Sequence, residues 1–327
     1  MTQSDGNTSP KFKVLMVVPK WSGGNPEYGY DTVGHFWHTL EISGLAQVDY
    51  FYYDEISALS KIPCDSALMG RVMDNQPDMV MLNWHCGAEI NPKPETLQSI
   101  SKRIPVAAFW FDTVWSLHTR IAEALSNVVH LHVILDSSAP YTVVPHPEEY
   151  LFLWAPVDPT LFYLGEKRDN PISYLGRLVK PGRKEAIDAL KAAGLEVVTG
   201  GGYGAGHVQL SWEEYADVYR RSKIVVNFSK SPADFGHYQL TGRVSEVLFS
   251  GALLLEEENP ETPGLLEPML DYVPFSGLED LVEKARYYLE HEEKRAAIAT
   301  HGHQTAMERY NHVIFWNTVF YHLLGGA

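Results

Sequence analysis

Arg243 and Glu246 stand three residues apart in the segment Leu240-Thr-Gly-Arg-Val-Ser-Glu-Val-Leu-Phe-Ser-Gly-Ala-Leu-Leu-Leu-Glu256. Val244, Val247 and Leu248 place an apolar stripe at helical spacing, and Gly251 suits the position just past a helix end. Residues at i and i+3 project from one neighbouring face. A guanidinium can hold a diphosphate bidentately, and a carboxylate can accept both hydroxyls of a ribose. The plain alternative is a solvated ion pair, worth about a few tenths of a kcal/mol.

Other segments carry residue types suited to an anionic, hydroxyl-rich ligand. The turn Gly176-Arg177-Leu-Val-Lys180-Pro-Gly-Arg183-Lys184 lies between a predicted strand and a predicted helix. Backbone amides at that helix start, with three or four cations, make an anion site; otherwise Arg177, Lys180 and Arg183 are ordinary surface cations. The run Gly200-Gly-Gly-Tyr-Gly-Ala-Gly206 lacks the phosphate-loop spacing and any Gly-Lys-Ser/Thr ending, so it reads as a flexible loop at a cleft mouth. Ser229 and Lys230 end another strand, and the loop Asp234-Phe-Gly-His237-Tyr238-Gln239 follows, suited to grip sugar hydroxyls and a phosphate.

In the first half, Gly23 and Gly24 follow the first strand and allow backbone to approach a ligand closely. Asp112 and His85 each follow a strand and are the candidate general bases. His35, His118 and His146 compete with them, although a lone histidine is more often structural. Trp21, Trp84, Trp110 and Trp115 could stack on sugar, with core packing as the plainer role. No Asp-x-Asp metal motif is paired with these groups, so no metal is expected.

The elements that must position these residues alternate. Short β-rich runs (Lys13–Pro19, Val48–Tyr53, Met79–Asn83, Val106–Phe111, Leu131–Leu135, Tyr150–Trp154) are separated by amphipathic stretches. That is the pattern of a parallel sheet covered by helices. Pro156-Val-Asp-Pro159 and the polar run Gly165–Pro171 interrupt it, and it then restarts from Ile172. The expected fold is α/β, with two Rossmann-like doubly wound domains facing across a cleft at the carboxyl ends of their strands. The expected boundaries are a disordered 1–10, a first domain 11–155, a linker 156–171, a second domain 172–310, and a helix 311–327 returning to the first domain.

A chain of 327 residues fits two cores, and 45% hydrophobic with 20% charged residues is a globular composition. Lys+Arg total 26 against 41 Asp+Glu, a formal charge of −15 that counts against nucleic acid and anionic lipid as partners. Cys64 and Cys86 have no metal spacing and read as reduced thiols. Met1 to Pro10 has no apolar leader and no apolar run is long enough to span a bilayer, so a cytoplasmic protein is expected.

The run from Ile172 to Tyr310 resembles the C-terminal domain of GT-B glycosyltransferases, in particular the CgeB-like (spore maturation protein) branch of group 1-like enzymes. The resemblance rests on Tyr174-Leu-Gly-Arg177, Ser211 to Tyr219, Ser222 to Ser229, Gly242-Arg-Val-Ser-Glu246 with Ser250-Gly251, and Leu281 to Ala299. Phe109-Trp-Phe-Asp112 and Trp154 to Pro159 resemble it more loosely. The resemblance implies transfer of a sugar from a nucleotide-diphosphate sugar to an acceptor hydroxyl. Glu246 would take the donor ribose, and Arg243 with Arg177 the diphosphate. His207 and Val208 would flank the base, and the first domain would bind the acceptor. The chain departs from many retaining members at Tyr238, eight positions before Glu246, where they carry a second Glu; stereochemistry stays open. An epimerase or hydrolase of nucleotide sugars, or a non-catalytic sugar or nucleotide binder, would fit the same frame. The partners expected are a nucleotide sugar and an unidentified acceptor, with no resident cofactor.

Overall fold

A computed structural model describes residues 12–28, 34–60, 64–85, 90–113, 116–136, 149–201, 210–230 and 238–325. The first sheet holds β1 (Phe12–Val18), β2 (Ala46–Tyr52), β3 (Met79–Asn83), β4 (Val106–Trp110), β5 (Leu131–Ile134) and β6 (Tyr150–Phe152). All pair in parallel, in the order β2-β1-β3-β4-β5-β6. Around it run α1 (Gly34–Ile42), α2 (Tyr53–Ser60), α3 (Asp65–Asn75), α4 (Pro94–Ser101) and α5 (Ser116–Ala124). The second sheet is also parallel: β7 (Asn170–Leu175), β8 (Val197–Gly200), β9 (Ser222–Asn227), β10 (Leu253–Glu257) and β11 (Val273–Phe275), ordered β11-β10-β9-β7-β8. Its helices are α6 (Arg183–Ala192), α7 (Trp212–Arg220), α8 (Gly242–Phe249), α9 (Gly277–Glu290) and α10 (Glu292–Arg309), and α11 (His312–Leu323) ends the chain.

The uninterrupted apolar runs of β1, β3, β4 and β10 follow from parallel strands buried on both faces. In the first sheet, Leu15, Val17, Val80, Leu82 and Trp110 pack with α3, α4 and α5 on one side. Val14, Met16, Met81 and Phe109 pack on the other side against Phe36 and Trp37 of α1. The same side receives Phe315, Trp316, Val319 and Phe320 of α11, so the last helix completes the core of the first sheet. Trp316 Nε1 donates to Thr39 Oγ1 at 2.9 Å, which pairs the one polar atom of a fully buried indole.

Both strand orders reverse once, between β1 and β3 and between β7 and β9. Crevices for ligands open outside the carboxyl ends of strands at such reversals. The sheets are tied near those ends: Leu240 N donates to Asp136 O at 2.6 Å, and Ser245 Oγ to Ala155 O at 2.9 Å. The run Gly165–Pro171 is not wholly a connector, since β7 begins at Asn170. Helix α2 was not expected: it starts at Tyr53 directly after β2, with no turn residue to announce it. Among the described residues no helix is long and apolar enough to cross a membrane.

Candidate active site

Helix α8 starts beyond Thr241 and ends in a left-handed Gly251 (φ +70°), as its sequence dictates. Val244, Val247 and Leu248 are fully buried against the second sheet. Glu246 is 8% exposed, and burial raises its pKa against the opposing effects of Arg243 and a hydrogen bond from Tyr215. Tyr215 Oη donates to Glu246 Oε2 at 2.9 Å. The other carboxyl oxygen, Oε1, lies 3.7 Å from His35 Nε2, on the first turn of α1. Burial drives the His35 pKa down to about 4, with Asp158 opposing. At neutral pH this contact joins a neutral imidazole to a carboxyl and is not an ion pair.

Arg243 turns away from Glu246. Its Nε donates to Tyr219 Oη at 3.0 Å, Nη1 to Asn227 Oδ1 and Nη2 to Leu175 O, and its guanidinium sits over the Tyr174 ring. The two heads expected to meet at one point are therefore linked only through Tyr219 and Tyr215, whose hydroxyls lie 2.9 Å apart. The guanidinium closes the carboxyl ends of β7 and β9 at the strand-order reversal, and three of its five donors are used there. Gly176 follows β7 at φ +151°, and a Cβ on it would stand 2.7 Å from Arg243 Nη2. Only glycine lets the chain pass the guanidinium so closely.

A network continues beyond Arg243. Asn227 Nδ2 donates to Glu256 Oε2 at 2.8 Å, Ser229 Oγ donates to Glu256 Oε1, and Asn259 Nδ2 donates to the same oxygen at 3.1 Å. Burial pushes the Glu256 pKa up to about 7. Ser229 is 1% exposed, so its hydroxyl serves this network and is not presented to the cleft. Lys230 is exposed, donates its backbone N–H to Glu257 Oε2 at 3.0 Å, and forms an antiparallel bridge with Tyr238.

The cations after β7 divide. Arg177 is exposed. Arg183 is 6% exposed, with Nη1 donating to Tyr174 Oη at 3.0 Å and Nη2 to Phe228 O at 3.4 Å. Burial lowers the Lys180 pKa, as do Arg183, Arg243 and Arg177, while Asp112 of the first sheet raises it. Lys180, Arg183, Lys230, Glu257, Phe228 and Phe275 line a cavity of about 300 Å³ beside the start of α6.

Asp112 supplies the acidic counterpart from the first sheet. It follows β4 in the left-handed conformation (φ +56°) and is exposed. Such a conformation costs about 1–3 kcal/mol for a non-glycine residue and is retained where surroundings enforce it. Gln239 of the second half supplies that enforcement. Its Nε2 donates to Asp112 Oδ1 and, at 2.9 Å, to Asp136 Oδ2. Asp136, at the end of β5, is 4% exposed and also accepts Thr113 Oγ1 at 2.7 Å and Thr113 N at 3.1 Å. Burial pushes the Asp136 pKa up to about 7, and Asp112 adds to that. His85 is held by a backbone exchange with Asn91, its N–H donating to Asn91 Oδ1 at 2.8 Å and its carbonyl accepting from Nδ2 at 2.7 Å.

Asp54 organises the loop after β1, accepting the backbone N–H of Lys20 and Trp21 at 2.9–3.0 Å. Gly23 and Gly24 lie in a short 3-10 turn, Ser22–Gly24. A Cβ on Gly24 would stand 2.3 Å from Ile90 Cδ1, so the close approach there is to packed side chain. His207, Val208 and His237 lie outside the described residues, as do Cys86, Trp115 and His146; Cys64 is a buried free thiol. Among the described residues, no His, Cys, Asp and Glu side chains are grouped as metal ligands.

Residues 183–315 match the family described as glycosyl transferase-like. That match runs from α6 into α11, and the fold of the chain is GT-B. HepE from Anabaena, solved in complex with UDP-glucose, shares the frame at a TM-score of 0.63 and 16% identity, covering 96% of this chain and 99% of HepE. A glycosyltransferase from Rickettsia africae is similar at a TM-score of 0.63 and 10% identity, over 97% of this chain and 100% of its own. Sucrose-phosphate synthase from Thermosynechococcus elongatus is similar at a TM-score of 0.65 and 10% identity, over 96% and 100%. No curated protein matches the sequence.

On this GT-B frame, the residues singled out by sequence fall into two groups. Glu246, Lys180, Arg177 and Asp112 stand at or near the facing carboxyl ends, whereas Arg243, Arg183 and Ser229 are built into the wall behind them. Asp136, Gln239, Tyr215 and His35 complete the constellation. For Asp136, the available signal was an acidic residue immediately after Leu135, at a strand's carboxyl end like Asp112.

Proposed function

We propose that the protein transfers a sugar from a nucleotide-diphosphate sugar to an acceptor hydroxyl, as a CgeB-like member of the group. The observation that carries this is that Gln239, beside the cations of the second sheet, donates to Asp112 and Asp136 of the first, and that the Asp112 carboxylate acts electrostatically on Lys180. A leaving diphosphate and an acceptor hydroxyl losing its proton need those opposite charges a short distance apart.

Glu246 takes the ribose hydroxyls, with Tyr215 orienting the carboxyl. This requires His35 to yield its place on Glu246 Oε1 when donor binds. Arg177 and Lys180 meet the charge that develops on the leaving diphosphate, without a metal ion. Arg243 is a positioning residue that fixes the ends of β7 and β9. Asp112 is the base, preferred over His85 because its backbone is strained and its carboxylate is oriented by Gln239 across the cleft.

A thermal-shift panel of nucleotide sugars tests the reading, because a donor that binds only the folded state raises the melting temperature by mass action. At least one nucleoside diphosphate sugar should shift it, and its nucleoside diphosphate should be released faster with acceptor than without. A flat panel would sink the assignment. Rapid release or epimerisation with donor alone would favour a hydrolase or epimerase.

A further inference from the structure

His35 reaches the Glu246 carboxyl from the first domain, and the contact leaves both side chains incompletely paired. Glu246 Oε2 accepts from Tyr215 Oη at 2.9 Å, whereas Oε1 faces His35 Nε2 at 3.7 Å. That separation exceeds the roughly 2.7–3.2 Å of an N–H···O bond. The two side chains are 13% and 11% exposed, and His35 Nδ1 is buried with no hydrogen-bond partner among the described residues. Buried polar atoms are rarely left in that condition, and a ligand hydroxyl would complete them.

Packing, not hydrogen bonding, aims the imidazole. Gly34 lies against the Trp212 indole, where a Cβ would stand 2.6 Å from the ring atoms Cη2 and Cζ2. Glycine therefore lets the first turn of α1 press on the start of α7. The His35 ring then sits with its centroid 5.4 Å from that of Phe162, in the crossover between the sheets, and 6.2 Å from that of Trp212, nearly perpendicular to the indole. Burial keeps the imidazole neutral, with its pKa driven down to about 4. Its hydrogen belongs on Nε2, because Nε2 faces a carboxyl oxygen and Nδ1 has no acceptor among the described residues.

Glu246 Oε1 and His35 Nε2–H thus offer an acceptor and a donor side by side. A single hydroxyl complements that pair, since it donates its hydrogen and accepts on its oxygen. An oxygen about 2.8 Å from both atoms, with its bonds at a tetrahedral angle, sets them about 4.6 Å apart. Starting from 3.7 Å, His35 has to retreat by only about 1 Å. Trp212 is 38% exposed, and a cavity of about 470 Å³ bordered by Gly34, Trp37 and Trp212 leaves that turn of α1 room to shift. We propose that His35 is the second half of a ribose clamp: one ribose hydroxyl donates to Glu246 Oε1 and accepts from His35 Nε2–H. The clamp rests on the assignment of Glu246 to the donor ribose. It makes His35 a residue that distinguishes ribose from deoxyribose, and it ties donor binding to the approach of α1 to α8.

Calorimetry on the full chain with UDP, ADP, GDP and their 2′-deoxy and 3′-deoxy forms tests this. In wild type at least one ribonucleoside diphosphate should bind, and one of its deoxy forms should bind about tenfold or more weakly. His35→Phe keeps a ring between Phe162 and Trp212 but has no N–H. It should weaken the ribonucleotide about three- to tenfold and leave that deoxy form unchanged. His35→Gln, whose amide nitrogen falls near the place of Nε2, should restore the discrimination and guards against a packing defect in the phenylalanine variant. Equal losses for both ligands in both variants would make His35 a packing residue and overturn the clamp. Discrimination that survives in His35→Phe but is lost in Glu246→Gln would overturn the clamp alone. No discrimination in wild type, or no binding by any of these ligands, would overturn the clamp together with the Glu246 assignment. Discrimination that depends on His35 but not on Glu246 would uphold His35 as a ribose ligand and defeat the Glu246 assignment instead.

Discussion

Gln239→Leu is the sharpest perturbation the structure offers, because one amide group of Gln239 donates to two carboxylates of the first domain. The bond to buried Asp136, at 2.9 Å, is shielded from water and is charge-assisted above pH about 7, where Asp136 is ionised. Such bonds contribute about 1.5–3 kcal/mol. The bond to exposed Asp112 is replaceable by water and contributes about 0.5–1 kcal/mol. Leucine fills the same volume, so no cavity cost is added. The facing arrangement should then lose about 2–4 kcal/mol, or roughly 30- to 1,000-fold in kcat/KM. A second effect has a fixed sign. Removing a donor from a carboxylate disfavours its charged form, so the Asp136 pKa rises further from about 7. The part of the acidic limb of the kcat/KM profile that Asp136 sets should move to higher pH. Initial rates of nucleoside diphosphate release over roughly pH 5–9 read both effects. A variant within about threefold of wild type, with its limb unmoved, would refute the reasoning.

Three further outcomes follow from the same geometry. Arg243→Lys should lower stability by about 2–4 kcal/mol in urea unfolding, since one ammonium cannot reach Tyr219, Asn227 and Leu175 in the guanidinium's fork geometry. Glu256 binds a proton more tightly folded than unfolded. Its stabilising contribution is therefore present below its ordinary pKa near 4.5 and is lost as pH rises through about 7, by about 3 kcal/mol at most. Glu256→Gln should flatten that decline in unfolding free energy measured against pH. Transfer should persist after incubation with EDTA, assayed by donor turnover, if Arg177 and Lys180 neutralise the leaving group as proposed.

The sheet strands were legible in sequence because parallel strands buried on both faces spell themselves as apolar runs; β3 is read to the residue, and β1 and β4 to within one at each end. The end of α8 was legible because Gly251 is a residue type that only a few backbone conformations demand. What failed was side-chain direction. A spacing of three puts Arg243 and Glu246 about 60° apart around the helix axis, and a long side chain can turn either way from there. Arg243 turned to the strand ends, where carbonyl and amide oxygens wait for it. The burial of Glu256 was not legible, because it depends on Asn227, Ser229 and Asn259, whose side chains meet it only in the fold. Asp136 was passed over, and Gln239 was read as a grip on sugar hydroxyls, for the same reason: their pairing arises only when residues about 100 positions apart come together.

Glu246 remains the residue on which the account turns. Titrating a nucleoside diphosphate sugar into wild type and Glu246→Gln by calorimetry tests it most directly. Glutamine keeps the size and the hydrogen bond from Tyr215 but removes the charge proposed to accept two ribose hydroxyls. The account predicts at least a tenfold loss of affinity, about 1.4 kcal/mol or more, with the unfolding temperature of the free protein preserved. Unchanged affinity in a folded variant would contradict it.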